Sequence, residues 1–243
     1  MERFILIWCV MNKWNWRYIV KVAGIIICAI TFITLSIVIY YNLDTPLPID
    51  AAMRDFCYKI RGEKYGFGYW FFRLITEFGN LYIIAIIIFI VILLTKCDYR
   101  AISISLGILL AVILNVGLKE IYMRERPFAD LRWMSEDSTS FPSGHSTAVG
   151  FLYPFLMYLT YHSKRISKQL KITIYSACSL IIPLVMLSRL ILGVHYLTDV
   201  LAGVSVGIMV SCLAMLFYKI CERYEFMTEG LFSKISDSKN KKE

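Results

Sequence analysis

The chain contains three histidines, His145, His162 and His195, and two of them stand beside residues suited to phosphate chemistry. In the stretch from Ser188-Arg189 through Gly193 to His195 and Asp199, the last two residues are four apart and adjacent on one helical turn. A carboxylate bonded to one ring nitrogen fixes the tautomer and leaves the other nitrogen as a nucleophile or base, although a structural hydrogen bond uses the same pair. In Pro142-Ser143-Gly144-His145, turn-formers lead into an apolar helix pattern whose free N–H groups and dipole favour an anion. His145 stands next to that anion, able to give a proton to a leaving oxygen. A plain capping role for Ser143, with His145 on the surface of the first turn, is the alternative.

Lys119 and Arg126 are seven apart, two turns along one helix face, before Pro127 stops the helix. Two cations on one face suit a multiply charged anion, as they suit a basic rim snorkelling around a membrane bundle. Arg189 adds a third cation. His162 sits in a basic loop and is read as non-catalytic. Taken together, three cations, a helix N-terminus and two histidines supply what phosphoryl transfer needs: positioning, charge neutralisation, an in-line nucleophile and a leaving-group acid.

The elements that must hold these residues are membrane spans. The chain is 58% hydrophobic and 18% charged, against roughly 45–50% apolar and about 25% charged in soluble domains. The excess falls in six runs, 18–41, 78–95, 101–118, 146–161, 172–190 and 200–218, each near the roughly 20 residues that cross ~30 Å of hydrocarbon. The second and fourth are short and are expected to extend into their flanks. Pro154 and Pro183 lie inside the fourth and fifth runs, where kinks are expected. The fold class is therefore all-α: a polytopic membrane protein, a six-transmembrane-helix bundle with a short amphipathic outer helix. That outer helix is expected from Asp50, as its cap, to Arg61, with Gly62 as the stop. Met53, Phe56, Cys57 and Ile60 recur on one face and Arg54, Lys59 and Arg61 on the other, which suits a helix lying on the membrane surface or packed over the bundle. Glu77 and Asn80, at the start of the second run, are read as a cap, with lining of a substrate entrance as the other option.

Three regions follow: 1–17, an interfacial segment with Trp8, Trp14 and Trp16 at headgroup depth; 18–218, the six-span domain with its motifs within 119–199; and 219–243, a cytoplasmic tail expected to be disordered at its Lys/Ser/Asp-rich end. A cleaved signal peptide is not expected, because the apolar run 4–11 is short and is followed by Lys13, Arg17 and Lys21 with no small-residue cleavage site. Lys and Arg divide sixteen to ten between the two faces, which puts both termini in the cytoplasm and the histidine motifs outside. The net charge of +8 is thus a topogenic and lipid-headgroup signal, and no nucleic-acid partner is expected. Of seven cysteines, Cys57 alone is expected on the outer face, so no disulfide is expected there.

The three motifs, in order and with their spacings, resemble the signature of the type-2 phosphatidic acid phosphatase superfamily of membrane lipid phosphatases. That signature is a Lys followed after six residues by Arg-Pro; then Pro-Ser-Gly-His; then Ser-Arg, five residues, His, three residues, Asp. Here it stands as Lys119 to Arg126-Pro127, Pro142 to His145, and Ser188-Arg189 to His195 and Asp199. The resemblance implies that His195 attacks phosphorus to form a phosphohistidine, with Asp199 orienting it and His145 protonating the leaving lipid oxygen. Lys119, Arg126, Arg189, the Ser143 hydroxyl and the Gly144 amide would hold the phosphoryl oxygens. No metal or other cofactor is implied, nor does the outer face show carboxylates and histidines at convincing metal spacing. The expected substrate is a lipid phosphate or diphosphate, as in bacterial undecaprenyl pyrophosphate and phosphatidylglycerophosphate phosphatases, and the expected partners are that lipid and the bilayer. A phosphotransferase passing the phosphate to another hydroxyl shares these motifs. A non-enzymatic lipid-binding membrane protein fits less well, since headgroup binding needs cations alone.

Overall fold

The apolar runs fold as helices. The computed structural model describes residues 16–43, 45–95, 98–128, 130 and 132–240, and among them are eight long helices and no strand. These are α1 (Trp16–Tyr40), α2 (Pro48–Ile60), α3 (Phe67–Glu77), α4 (Leu81–Thr95), α5 (Tyr99–Tyr122), α6 (Gly144–His162), α7 (Lys168–Ile191) and α8 (Leu197–Asn240). Of the interfacial segment expected over 1–17, residues 1–15 lie outside the described residues, and Trp16 and Arg17 begin α1. Helix α8 continues to Asn240, into the stretch where the sequence suggests a disordered end.

Among the described residues four helices are long and apolar enough to cross a membrane: Val22–Tyr40 of α1, α5, α7, and Leu197–Glu222 of α8. Helices α3 and α4, bent by 43°, make a fifth if they form one span. The fourth expected run, within α6, does not meet the same measure, and its packing explains why. From Ser146 through Tyr153 every residue of α6 is buried, so α6 meets protein rather than lipid and carries small and polar residues where helices approach closely. Pro154 and Pro183 sit inside the unbroken helices α6 and α7.

Helices α8 and α6 approach closely and share the most extensive contact among the described helices. A Cβ on Gly207 would lie 2.3 Å from the Thr147 carbonyl oxygen, and one on Gly203 2.5 Å from the Ser143 oxygen. Phe151, Phe155, Val149 and Leu152 of α6 form the middle of the core, with Val206 and Val210 of α8 against them. Around this pair α1 packs on α8, α5 on both, and α7 on α6. Large apolar side chains point away from the protein on α1 (Ile26, Ile30, Ile33, Ile37) and α4 (Ile86, Phe89, Leu93), as lipid-facing surfaces require.

The segment between α1 and α4 holds two helices where the sequence suggested one. Cys57 and Met53 of α2 pack against the turn that follows α7, while Phe56 and Ile60 stay exposed, so α2 both covers the bundle and offers an apolar edge. Gly62, with φ +76°, ends it as expected. Asp50 does not cap α2: the N-cap is Leu47, without a side-chain bond. Asp50 is instead fully buried and accepts from the Thr198 backbone N–H at 2.9 Å. The reason is spatial, because α2 lies across the start of α8, whose own first N–H groups lack partners.

Candidate active site

Lys119 lies in the last turn of α5, and the expected continuation of that helix to Arg126 is not found. Met123 adopts a left-handed conformation (φ 42°) and its N–H closes on the Lys119 carbonyl at 2.9 Å, so the helix stops at Tyr122, well before Pro127. Lys119 and Arg126 therefore do not share a helix face. They still converge, because the loop 136–140 folds between them. Lys119 Nζ donates to Ser138 Oγ at 3.3 Å and to the Thr139 carbonyl; Arg126 Nη2 donates to the same two groups at 3.1 and 3.3 Å. Arg126 Nε also donates to the Ser138 carbonyl at 2.6 Å.

His195 lies in the turn between α7 and α8, two residues before the helix rather than on it. Gly193, with φ +73°, provides the left-handed step that reverses the chain there. Arg126 Nη1 donates to the Val194 carbonyl at 2.8 Å and lies 3.2 Å from His195 Nε2. A guanidinium can only donate, so Nε2 is the accepting nitrogen with its lone pair on the Arg126 side. The proton then sits on Nδ1, which faces Asp199 Oδ2 at 3.5 Å and Ser140 Oγ at 3.4 Å. Ser140 Oγ also donates to Asp199 Oδ2, bridging the two. Burial, reinforced by the Arg126, Arg189 and Lys119 cations, holds His195 well below the ordinary histidine value, so it is neutral near pH 7. Burial, opposed by the Glu136 carboxylate, lowers Arg126 to about 10.

Helix α6 begins at Gly144, with Ser143 as its N-cap. The Ser143 hydroxyl accepts from Ser146 N at 3.4 Å and Ser146 Oγ at 3.1 Å, and its N–H donates to the Asp199 carbonyl at 3.0 Å. Asn115 of α5 ties this corner down, donating to the Pro142 carbonyl and to Thr147 Oγ1, each at 3.2 Å. His145 is thereby held at the head of α6, its Nε2 enclosed and without a hydrogen-bond partner. A buried polar atom in that state asks for a ligand, a water or a chemical role.

Arg189, fully buried near the end of α7, donates to Thr76 Oγ1 at 2.9 Å and to Glu136 Oε1. Glu136 lies 3.8 Å from Arg126 as well. The protein's own carboxylate thus sits among the cations that the sequence assigns to phosphate. One cavity of 480 Å³ gathers Lys119, Arg126, Arg189, Gly144, His145, His195 and Glu136. Its other wall is apolar, from Leu81 and Tyr82 of α4 to Ile108, Ala111, Val112 and Val116 of α5, a shape suited to a phosphate headgroup with a lipid tail. Ser143 and Asp199 stand behind the lining rather than on it. Asn80 both caps α4, accepting from Tyr82 N at 3.2 Å, and lines the cavity, while Glu77 pairs with Arg73 at 3.2 Å. Helix α2 contributes nothing to the lining. Among the described residues no group of three or more His, Cys, Asp or Glu is placed to hold a metal.

Several participants are absent from the sequence reading. Arg124, 1% exposed, reaches Asp199 Oδ1 at 2.5 Å and Asp50 Oδ2 at 2.8 Å. Glu136, Ser140 and Thr76 were likewise not singled out. Arg124 left one trace, a third basic residue between Lys119 and Arg126; the others are ordinary polar residues on loops or helix ends.

Residues 100–223 match the PAP2 superfamily. Phosphatidylglycerophosphatase B of Bacillus subtilis is 42% identical over 114 residues, 46% of this chain and 55% of that protein. Dolichyldiphosphatase 1 of Dictyostelium discoideum is 34% identical over 157 residues, 62% of this chain and 66% of that protein. The matches thus span between about half and two thirds of those relatives' lengths. The crystal structure of a transmembrane PAP2-type phosphatidylglycerolphosphate phosphatase from Bacillus subtilis superposes with a TM-score of 0.69 at 28% identity, covering 81% of this chain and 96% of that one. That of Aquifex aeolicus LpxE shares the fold, with a TM-score of 0.55 at 20% identity over 71% of this chain and 97% of the other. With apolar helices long enough to cross the bilayer and a motif-bearing core matched over half its length, this chain is a multi-pass membrane protein of the PAP2 superfamily.

Proposed function

We propose that the protein is a metal-independent lipid phosphatase that removes the terminal phosphate of a lipid phosphate or diphosphate through a phosphohistidine on His195. The observation that carries this reading is the orientation of His195: Nε2 accepts beside Arg126 while Nδ1 faces Asp199 and Ser140, in a cavity shared with the unpartnered His145 Nε2.

The phosphoryl oxygens lie among Lys119, Arg126, Arg189 and the first N–H groups of α6, displacing Glu136 from Arg189. His195 Nε2 forms a bond to phosphorus as the bond to the lipid oxygen breaks, and His145, which takes up a proton when the negative phosphate binds beside it, gives that oxygen its proton. The phosphohistidine, still protonated on Nδ1, carries a positive charge that Asp199 faces. Water then attacks phosphorus, the neutral His145 takes its proton, the N–P bond breaks, and phosphate leaves with both histidines restored.

The relatives named a phosphatidylglycerophosphatase and a dolichyldiphosphatase support phosphatidylglycerophosphate or a polyprenyl diphosphate such as undecaprenyl pyrophosphate as the substrate. The apolar α4–α5 wall supports entry of the lipid from the bilayer. In this reading α3–α4 form one broken span and α6 the sixth, both termini are cytoplasmic, and the cavity opens on the extracytoplasmic side, in keeping with the distribution of Lys and Arg. The test is phosphate release by the purified protein from phosphatidylglycerophosphate, polyprenyl diphosphates and phosphatidic acid, with His195→Ala alongside. Release from at least one lipid, abolished in the folded variant, is expected; substantial turnover by His195→Ala would remove His195 as the nucleophile. Labelled phosphate appearing on an acceptor lipid instead of free in solution would turn the assignment to a phosphotransferase.

A further inference from the structure

Behind the nucleophile, and off the cavity lining, three buried charges form a row. Asp50, Arg124 and Asp199 are 0%, 1% and 0% exposed. Arg124 sits in the middle: Nη1 reaches Asp199 Oδ1 at 2.5 Å and Thr198 Oγ1 at 2.9 Å, and Nη2 reaches Asp50 Oδ2 at 2.8 Å. Its guanidinium lies over the Tyr196 ring, 4.4 Å from the centroid. Asp50 completes the row by accepting from Thr198 N at 2.9 Å and Thr198 Oγ1 at 2.8 Å. Asp199 spends one oxygen on Arg124. The other takes Ser140, the Tyr196 N–H at 2.9 Å and the His195 side.

We propose that Asp50 is a positioning residue for the nucleophile: by sharing Arg124 it lets the arginine fix Asp199 in place without cancelling the negative charge that Asp199 presents to His195. The charge count gives the reason. Arg124 paired with Asp199 alone is a neutral couple, whereas Asp50, Arg124 and Asp199 together carry one negative charge. His195 is neutral before attack and positive once Nε2 bears the phosphoryl group and Nδ1 keeps its proton. A net negative row behind Nδ1 therefore stabilises the transition state and the intermediate more than the resting site, and such an interaction appears in kcat rather than KM. In so dry an environment the difference between a neutral and a charged neighbour is large. Asp50 reaches this place because α2 crosses the start of α8, so an element outside the motif-bearing helices completes the charge balance.

The inference rests on the phosphohistidine mechanism above, and its test keeps the two apart. Wild type and His195→Ala, assayed on the best lipid substrate of the panel, establish that mechanism first. Asp50→Asn, close in size and still able to accept from Thr198 N, is then expected to lower kcat about 10- to 100-fold, the scale of a misplaced catalytic group, with KM within about twofold. The double variant Asp50→Asn/Arg124→Gln, in which Asp199 again presents an uncancelled charge, is expected to recover several-fold in kcat over Asp50→Asn. An unchanged kcat in folded Asp50→Asn, a rise in KM that accounts for the loss, or a double variant no faster than Asp50→Asn would overturn the charge-balance role while leaving the phosphatase reading intact. If Asp50→Asn does not fold, the double variant decides: a folded protein within about tenfold of wild-type kcat supports the proposal, and a larger loss or a second failure to fold overturns it.

Discussion

His195 has a consequence that can be measured directly. In the proposed mechanism its lone pair must be free on Nε2 for attack, and burial, with Arg126, Arg189 and Lys119 adding to it, holds the ring well below the ordinary histidine value. The neutral form therefore persists as pH falls, and the acid limb of kcat/KM that reports His195 should lie below about 6.5, the unperturbed value. Removing a neighbouring cation works in the opposite direction. Arg126→Gln is expected to move that limb to higher pH, at reduced overall activity; a limb unmoved or moved lower would show that the cation does not set the ionisation. Glu136 gives a second expectation. Its carboxylate occupies Arg189 and approaches Arg126 at 3.8 Å, where the phosphate of the proposed substrate would displace it. Glu136→Gln should lower the inorganic phosphate concentration for half-inhibition severalfold, and a weaker phosphate response would contradict this competition. The sequence made both histidines, the Lys and Arg cations and Asp199 legible, because each belongs to a short local pattern. Glu136 escaped because its meaning comes from Arg189, 53 residues away.

Among the elements, the α6–α8 contact governs how well the site is held, since Ser143, Gly144 and His145 begin one helix and Asp199 begins the other. Adding a methyl to Gly207 would set a Cβ 2.3 Å from the Thr147 carbonyl oxygen, forcing the two backbones apart. Gly207→Ala is expected to destabilise the protein by about 1–3 kcal/mol, the usual cost of overpacking, and to lower activity with it. Gly117→Ala on α5, where a Cβ meets nothing within 4 Å, is the control and should melt at or above the wild-type temperature, since alanine favours a helix interior over glycine. Equal melting temperatures for the two variants would show that the close approach is not needed. Element existence was largely readable from apolar runs, and element ends were not. Helix α5 stops at a left-handed Met123 with no Gly or Pro to announce it, and α3 is apolar on both sides, with Phe67, Trp70 and Leu74 exposed and Tyr69 and Phe72 packed against the turn after α7, so no polar face marks it as a separate helix.

The whole molecule brings its polar chemistry to one end of the bundle, and two expectations belong to that arrangement. With no group of metal-ligating side chains placed together among the described residues, phosphate release should survive exhaustive chelation, and a loss restored by a divalent cation would refute a metal-independent mechanism. The proposed orientation predicts that a cysteine at Tyr65, in the α2–α3 turn, reacts with an impermeant maleimide in intact cells, while one at Ser163, in the α6–α7 turn, reacts only after permeabilisation. The reverse pattern would invert the topology.

The sequence by itself determined the family pattern and its solvent. Motif spacings of a few residues set His195 near Asp199 and His145 at the head of its own helix, and the apolar runs demand a bilayer. Only the tertiary structure decided which charges complete the site. Asp50 and Arg124 lie 74 residues apart, and Arg124 and Asp199 75, so their pairing depends on how α2, the loop after α5 and the start of α8 pack. Burying them together is what makes three ordinary charged residues act as one.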